Sequence, residues 1–307
     1  MPKDFVSLAD WSRDELHELL ERARELKQLD RRGVRPQTLE GRTLAMFFEK
    51  PSLRTHVTFE AGMNELGGHA ILLLPEQVGI GTRESPADVA RNLSRWVDGI
   101  AARTFRHELV EELAREATIP VINGLTDLHH PCQVMADLQT IAERCPLEQA
   151  VIAYVGDGNN VVNSLLHGAA LFGLELRVAT PATHRPDERV VKRAGEIAAR
   201  SGARLSWTED PREAVRGAGF VYTDVWTSMG QEAERERRRR IFAPYQVNAR
   251  LLELAPEAWV MHCLPAHRGE EITDEVLDAP RAIAFDQAEN RLHSQKAIAE
   301  RLLAHRD

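Results

Sequence analysis

Thr43-Leu44-Ala45-Met46-Phe47-Phe48, Glu49-Lys50-Pro51-Ser52 and Leu53-Arg54-Thr55-His56-Val57-Thr58-Phe59-Glu60 read in succession as an apolar run, a break and the start of a helix. The run is unbroken, as a strand buried on both faces requires, and the helical segment from Leu53 to Leu66 stops at Gly67-Gly68. A strand that feeds a helix in this way is the building unit of a parallel α/β sheet. Pro51 biases Lys50 toward extended backbone and Ser52 can cap the helix. The N–H groups of Leu53, Arg54 and Thr55 then point out of the helix start beside two hydroxyls and a guanidinium. Free N–H groups, the positive end of the helix dipole and a fork-shaped arginine together favour a dianion such as phosphate. The competing reading is a capped helix whose Lys50 and Arg54 face water.

The alternation continues on both sides of this stretch. Upstream, Ser12-Arg13-Asp14-Glu15 is a capping box, and Leu16, Leu19, Leu20, Ala23 and Leu26 follow at helical spacing. Downstream come an apolar run at 70–74, a loop at 76–83, a helix opened by Ser85-Pro86, a strand at 99–102, a helix near 107–117 and a strand at 120–122. His130-Pro131 opens a longer helix, and Arg144-Cys145-Pro146 reads as a linker. Beyond it, strands are predicted near 151–155, 175–179, 204–207, 220–223, 259–262 and 283–285, with helices between them and a terminal helix from Ser294. The expected fold is α/β in two domains, each a mostly parallel sheet with helices on both faces, with an active site in the cleft between them. The expected domains are residues 1–144 and 145–290, with 291–307 forming a C-terminal helix that packs back on the first.

At 307 residues, two domains can each bury a core. The 43% hydrophobic and 28% charged content is ordinary for a globular protein, and a net charge of −8 argues against a nucleic-acid partner. No window approaches the apolar length of a membrane span, and the first residues lack the apolar stretch of an export signal. Cys132, Cys145 and Cys263 are odd in number and far apart, which suits a reducing cytoplasm.

Most candidate chemical residues follow predicted strands, where open parallel sheets bind ligands. Arg103 ends the run Gly99-Ile100-Ala101-Ala102. His130-Pro131-Cys132-Gln133 begins a helix, and no neighbouring spacing completes a zinc set. Gly156-Asp157-Gly158-Asn159-Asn160 follows a strand but lacks the third glycine and the ribose acid of a dinucleotide fingerprint, so it suits a small polar ligand better. Asp224-Val225-Trp226-Thr227-Ser228-Met229-Gly230 offers a carboxylate and then a hydroxyl, as an α-amino and α-carboxylate pair requires. Arg237 to Arg240 is expected to be a solvated run paired with Glu234 and Glu236. Met261-His262-Cys263-Leu264-Pro265 presents a cysteine with no recognisable base.

Ser52-Leu53-Arg54-Thr55-His56 resembles the phosphate-holding Ser-Thr-Arg-Thr-Arg motif of the aspartate and ornithine carbamoyltransferases. The His-Pro-Cys-Gln, Asp-x-Trp-x-Ser-Met-Gly and His-Cys-Leu-Pro segments resemble the ornithine branch. The resemblance implies carbamoyl transfer from carbamoyl phosphate to L-ornithine, without metal or cofactor. It places Ser52, Leu53, Arg54, Thr55, Gly79, Arg103, His130, Gln133, Cys263, Leu264 and Arg291 at carbamoyl phosphate, and Asn160, Asp224, Ser228 and Met229 at ornithine. Arg103, His130 and Cys263 would be catalytic, with Gln133 accepting from the carbamoyl amide and Cys132 serving as packing. It also implies a homotrimer or a multiple of trimers. Other acceptors within the same chemistry are N-acetylornithine, putrescine and aspartate. Leu53 and His56 depart from the motif, and Gly79 stands where many relatives carry a Gln that reaches a neighbouring subunit; Gln77 or Arg83 could take that role.

Overall fold

The computed structural model describes residues 2–228, 230 and 232–304. The chain divides into two compact units: one takes in the chain up to Gln139 together with the segment from Glu289 onward, and the other is Thr140–Ala288.

The first unit holds a four-stranded sheet of β1 (Thr43–Phe48), β2 (His69–Leu73), β3 (Gly99–Arg103) and β4 (Val121–Leu125). All neighbouring strands are parallel, in the order β2-β1-β3-β4. Leu44 to Phe48 are buried without a break, because helices cover both faces. Ala45, Phe47, Ile100, Ala102 and Val121 form one core with Val89 and Leu93 of the helix Pro86–Trp96 and with Leu109 and Leu113 of the helix His107–Glu116. The register of β3 against β4 shifts between Ala102 and Arg103, which pair with Asn123 and Leu125. Such an irregularity re-aims the side chain that follows it, here Arg103.

The end of the chain belongs to this unit through specific polar contacts. Lys27, 5% exposed, donates to Asn290 Oδ1 at 2.8 Å, and Lys296 Nζ lies 2.7 Å from Glu65. A Cβ at Gly62 would stand 3.0 Å from Lys296 Cγ, so the small residue lets the two helices approach.

The second unit is built on β5 (Val151–Val155), β6 (Glu175–Ala179), β7 (Arg204–Thr208), β8 (Phe220–Thr223) and β9 (Trp259–His262). These strands are parallel in the order β7-β6-β5-β8-β9. After β5 the helix Asn160–Phe172 is buried on all sides from Val161 to Phe172, as its apolar content requires. Strand order reverses between β5 and β8, and in the first sheet between β1 and β3. At such switch points the connections leave in opposite directions and open a crevice beyond the strands' carboxyl ends.

Two expectations change. Residues 283–285 do not form a strand: Ile283 N–H bonds to Val260 in a single bridge, and the helix Ala284–Leu303 begins at once, ten residues earlier than expected. A short apolar run fits either state, and Asp286 in the first turn favours the helix. The 76–83 loop contains a short helix, Pro75–Val78, closed by Gly79 at φ 63°.

Among the described glycines of the second unit, Gly158 leaves the least room for a side chain. A Cβ there would lie 2.3 to 2.4 Å from backbone atoms of His184, Arg185 and Pro186, which cannot rotate away. Gly158→Ala should therefore lower the urea midpoint by the equivalent of about 3 kcal/mol or displace the 184–186 loop. Gly195→Ala, in a helix with nothing within 4 Å of the new methyl, should raise stability by about 0.5–1 kcal/mol. Equal effects of the two substitutions would contradict this packing.

Candidate active site

In the first unit the helix Leu53–Glu65 begins directly after β1, and Ser52 Oγ accepts from Thr55 N at 3.2 Å. The cap takes the N–H of Thr55, one of the three groups expected to face a ligand. Lys50 is buried, forms an ion pair with Asp127 and lies 4.3 Å from the Phe105 ring centroid, so it does not face water. Arg103, at the carboxyl end of β3, is 7% exposed. Gly124 makes room beside it: a Cβ there would stand 3.3 Å from both Ala102 O and Thr55 Cγ2.

Arg291 is 2% exposed and bonds to two side chains of the same unit, among other contacts. Its Nη2 donates to Thr55 Oγ1 at 2.9 Å and its Nη1 to Gln133 Oε1 at 2.7 Å. Gln133 Nε2 in turn donates to Asp137 at 2.8 Å, one helical turn on. The Gln133 amide is therefore already bonded at both ends.

His130 stands just before the helix Pro131–Ala142, within a turn organised by Thr126. Thr126 N donates to His129 O, and His129 N donates back to Thr126 Oγ1. Burial holds the His130 imidazole well below its ordinary 6.5, and the charges of Arg291, Arg103 and Arg54 push in the same direction. A neutral ring and three guanidinium groups thus share one region. Cys132 donates to Asn123 O at 3.3 Å, and burial pushes its thiol up to about 12, so it is inert packing. Gly79 bonds within its own turn, through N–H to Pro75 O and through C=O to the N–H groups of Thr82, Arg83 and Glu84.

In the second unit the ends of β5 and β8 are tied by Thr223 Oγ1, which donates to Val155 O at 2.7 Å. Asn159 caps the following helix: Oδ1 accepts from Val161 N at 2.9 Å and from Tyr154 Oη at 3.3 Å. Its Nδ2 donates to Asp224 Oδ2 at 2.7 Å, while Cys263 Sγ donates to Asp224 Oδ1 at 2.8 Å. One carboxylate, 5% exposed, is thereby fixed at both oxygens. Asn160 is the first residue of the helix, and Ser228 is half-buried on the loop after Asp224. Met229 lies outside the described residues.

Cys263 and Leu264 are shaped by a buried histidine. Leu264 N donates to His262 Nδ1 at 2.8 Å, so Nε2 carries the proton toward Glu271 Oε1, 3.1 Å away. Leu264 sits at φ 55° before a cis bond to Pro265. Asp224, His262 and Cys263 bring ligand-type atoms within 4.8 Å of one another, but both ring nitrogens of His262 are engaged, which disfavours a metal there.

Two residues of the second unit differ from the sequence reading. Asn159, expected only as a polar loop residue beside Asn160, is the helix cap and bonds Asp224. Arg237, Arg239 and Arg240 are exposed as expected, and Arg238 makes the expected pair with Glu234 at 3.8 Å, yet Arg238 is 4% exposed and lies 2.5 Å from Asp157. The correction has a simple cause. A helix turn of four arginines must aim one of them inward, and sequence does not say which.

The sequence matches the family description "Aspartate/ornithine carbamoyltransferase, carbamoyl-P binding domain" over residues 3–143 and "Aspartate/ornithine carbamoyltransferase, Asp/Orn binding domain" over residues 148–302. The chain belongs to the aspartate/ornithine carbamoyltransferase family. Among its relatives, an ornithine carbamoyltransferase of Symbiobacterium thermophilum is 55% identical over 304 residues, 98% of each chain. The solved ornithine carbamoyltransferase of Pyrococcus furiosus superposes with a TM-score of 0.96 at 49% identity, covering 99% of this chain and 98% of that one. The Thermus thermophilus enzyme gives 0.87 at 50% identity, with 99% of each covered. Among the described residues, no helix of this carbamoyltransferase family member is long and apolar enough to cross a membrane.

The buried imidazoles set a pH dependence. Burial, aided by Arg193 for His167 and by Lys296 and Lys27 for His293, brings both from 6.5 to about 4. Between those values the unfolded chain binds more protons, so their contribution, with that of His130, is complete above 6.5 and is lost as pH falls toward 4. Asp157 acts oppositely: burial outweighs Arg238 and raises its carboxyl from 3.8 to about 7, a contribution lost as pH rises through that range. Three imidazoles outweigh one carboxyl. The urea midpoint should fall from about pH 7 to about pH 5, and His293→Gln should flatten the fall. A flat or rising midpoint over that interval would contradict the assignment.

Proposed function

We propose that this protein transfers the carbamoyl group of carbamoyl phosphate to the δ-amine of L-ornithine, giving L-citrulline and phosphate in amino-acid metabolism. The observation that carries the choice of acceptor is the Cys263 thiol bonded to Asp224. An ionised carboxylate has about four lone-pair sites, so Asp224 can take an α-ammonium while keeping Asn159 and Cys263. The sulfur of Cys263 keeps its lone pairs as acceptors for a distant second amine. Asn160, Ser228 and Met229 are read as contacts to the rest of the amino acid. N-acetylornithine lacks the α-ammonium, putrescine lacks the α-carboxylate, and aspartate lacks the second amine.

The donor is assigned to the first unit. Ser52, the N–H groups of Leu53 and Arg54, the Arg54 side chain and Arg103 would hold the phosphate. Thr55 accepts from Arg291, which leaves its own O–H to donate. Together with Arg103 and a neutral His130 it would stabilise the oxyanion formed when the uncharged δ-amine attacks the carbonyl carbon. The C–O bond to phosphate then breaks and the nitrogen gives its proton to the departing phosphate, completing citrulline. Gln133 Oε1 would receive the carbamoyl NH2, with Gly79 near the donor and Arg291 bracing Thr55 and Gln133. Preorganised donors of this kind are worth about 3 kcal/mol each in the barrier.

A trimer or a multiple of trimers is the assembly we propose. It is supported by apolar groups left exposed in the isolated chain: Leu53 at 74% and Val57 at 50%, one helical turn apart, and Ile71 at 40% on the sheet-edge strand β2. The net charge of −8 opposes binding to nucleic acid. Sedimentation at equilibrium checks the assembly; a monomer at micromolar concentration would count against it.

The assay is ureido-product formation from carbamoyl phosphate with L-ornithine, N-acetylornithine, putrescine or L-aspartate. Ornithine alone should be turned over at an appreciable rate. Arg103→Gln should reduce kcat about 100-fold or more. Cys263→Ala should raise KM for ornithine about tenfold, the loss of one hydrogen bond. Preferred turnover of another amine would overturn the acceptor assignment and leave the donor half standing.

A further inference from the structure

The helix Arg235–Phe242 carries Arg237 to Arg240, and of these four only Arg238 is buried. Its guanidinium holds two loops at once. Nη2 lies 2.5 Å from Asp157 Oδ2, and Nε donates to the carbonyl oxygen of Trp226 at 2.5 Å. Asp157 sits in the turn after β5, two residues ahead of Asn159. Trp226 lies two residues beyond Asp224 and two before Ser228. Phe242, one helical turn from Arg238, stacks on the Trp226 ring with centroids 6.1 Å apart and planes at 18°. Helix, charge and ring therefore grip the same loop residue from its backbone and its side chain.

Stability alone does not call for this arrangement. An apolar pair of similar volume usually serves a core as well as a buried ion pair or better. What the guanidinium adds is a fixed distance between the loop of Asn159 and Asn160 and the loop of Asp224 and Ser228. The 2.7 Å contact from Asn159 Nδ2 to Asp224 crosses between those loops and depends on their register. A displacement near 1 Å would separate the pair, and about 1 Å is enough to cost orders of magnitude in a positioned site.

We propose that Arg238 is a positioning residue for the acceptor half of the site, setting the spacing at which Asp224 and Asn160 receive the amino acid. The inference rests on the reading of that half as the ornithine site. Lysine cannot replace it, because a single ammonium lacks the fork that serves Asp157 and Trp226 O together.

Three variants test this: Arg238→Lys, Arg238→Met, and Arg238→Met combined with Asp157→Asn. Each is measured for KM of L-ornithine, KM of carbamoyl phosphate and thermal midpoint. Arg238→Lys should fold, raise KM for ornithine about tenfold or more and leave KM for carbamoyl phosphate within about twofold. The double variant removes the buried Arg238–Asp157 pair, so it should regain the thermal midpoint lost by Arg238→Met while its ornithine KM stays high. Recovery of both quantities, or an ornithine KM unchanged in Arg238→Lys, would overturn the proposal and assign Arg238 to stability alone. A wild-type protein inactive toward ornithine but active toward another acceptor would overturn the reading of the site instead, a result distinguishable before any variant is made.

Discussion

Three guanidinium groups gathered around one neutral imidazole are the constraint on which the first unit depends. Arg54, Arg103 and Arg291 come from three separate segments: the helix after β1, the end of β3 and the terminal helix. Like charges do not assemble unaided. Here they are held by a strand irregularity at Arg103, by Thr55 and Gln133 on Arg291, and by Asp137 behind Gln133. The same crowding, added to burial, keeps His130 uncharged. It can then donate a hydrogen bond to developing negative charge without contributing a fourth positive charge in the resting state.

The second unit solves the opposite problem, holding a single carboxylate in one orientation. Asp224 is clamped by an amide and a thiol, and each clamp is itself fixed: Asn159 by its capping bonds, Cys263 by the His262-Glu271 pair that shapes the turn. Both units place their chemistry where strand order reverses. That is a consequence of topology, since only at such a point do two successive loops diverge and leave room for a small molecule.

Much of this was legible in the sequence because local patterns carried it. The run Thr43–Phe48 with Ser52 after it specified a buried strand and a capped helix, and the positions of Arg103 and Asp224 after apolar runs marked strand ends. What sequence could not provide depends on long-range packing. Residues 283–285 have the composition of a strand, yet the sheet takes only one bridge there. Arg238 is chemically identical to its three neighbours and differs in facing Asp157 and the carbonyl of Trp226. Lys50 reads as a surface cation until Asp127, 77 positions away, is brought to it.

Calorimetric titration with phosphonoacetamide, an unreactive isostere of carbamoyl phosphate, tests the assignment of donor and acceptor to separate units most directly. The account predicts binding to the wild-type protein, affinity reduced about tenfold or more in Arg103→Gln, and affinity unchanged within about twofold in Asp224→Asn. Equal loss in both variants, or full affinity in Arg103→Gln, would contradict it.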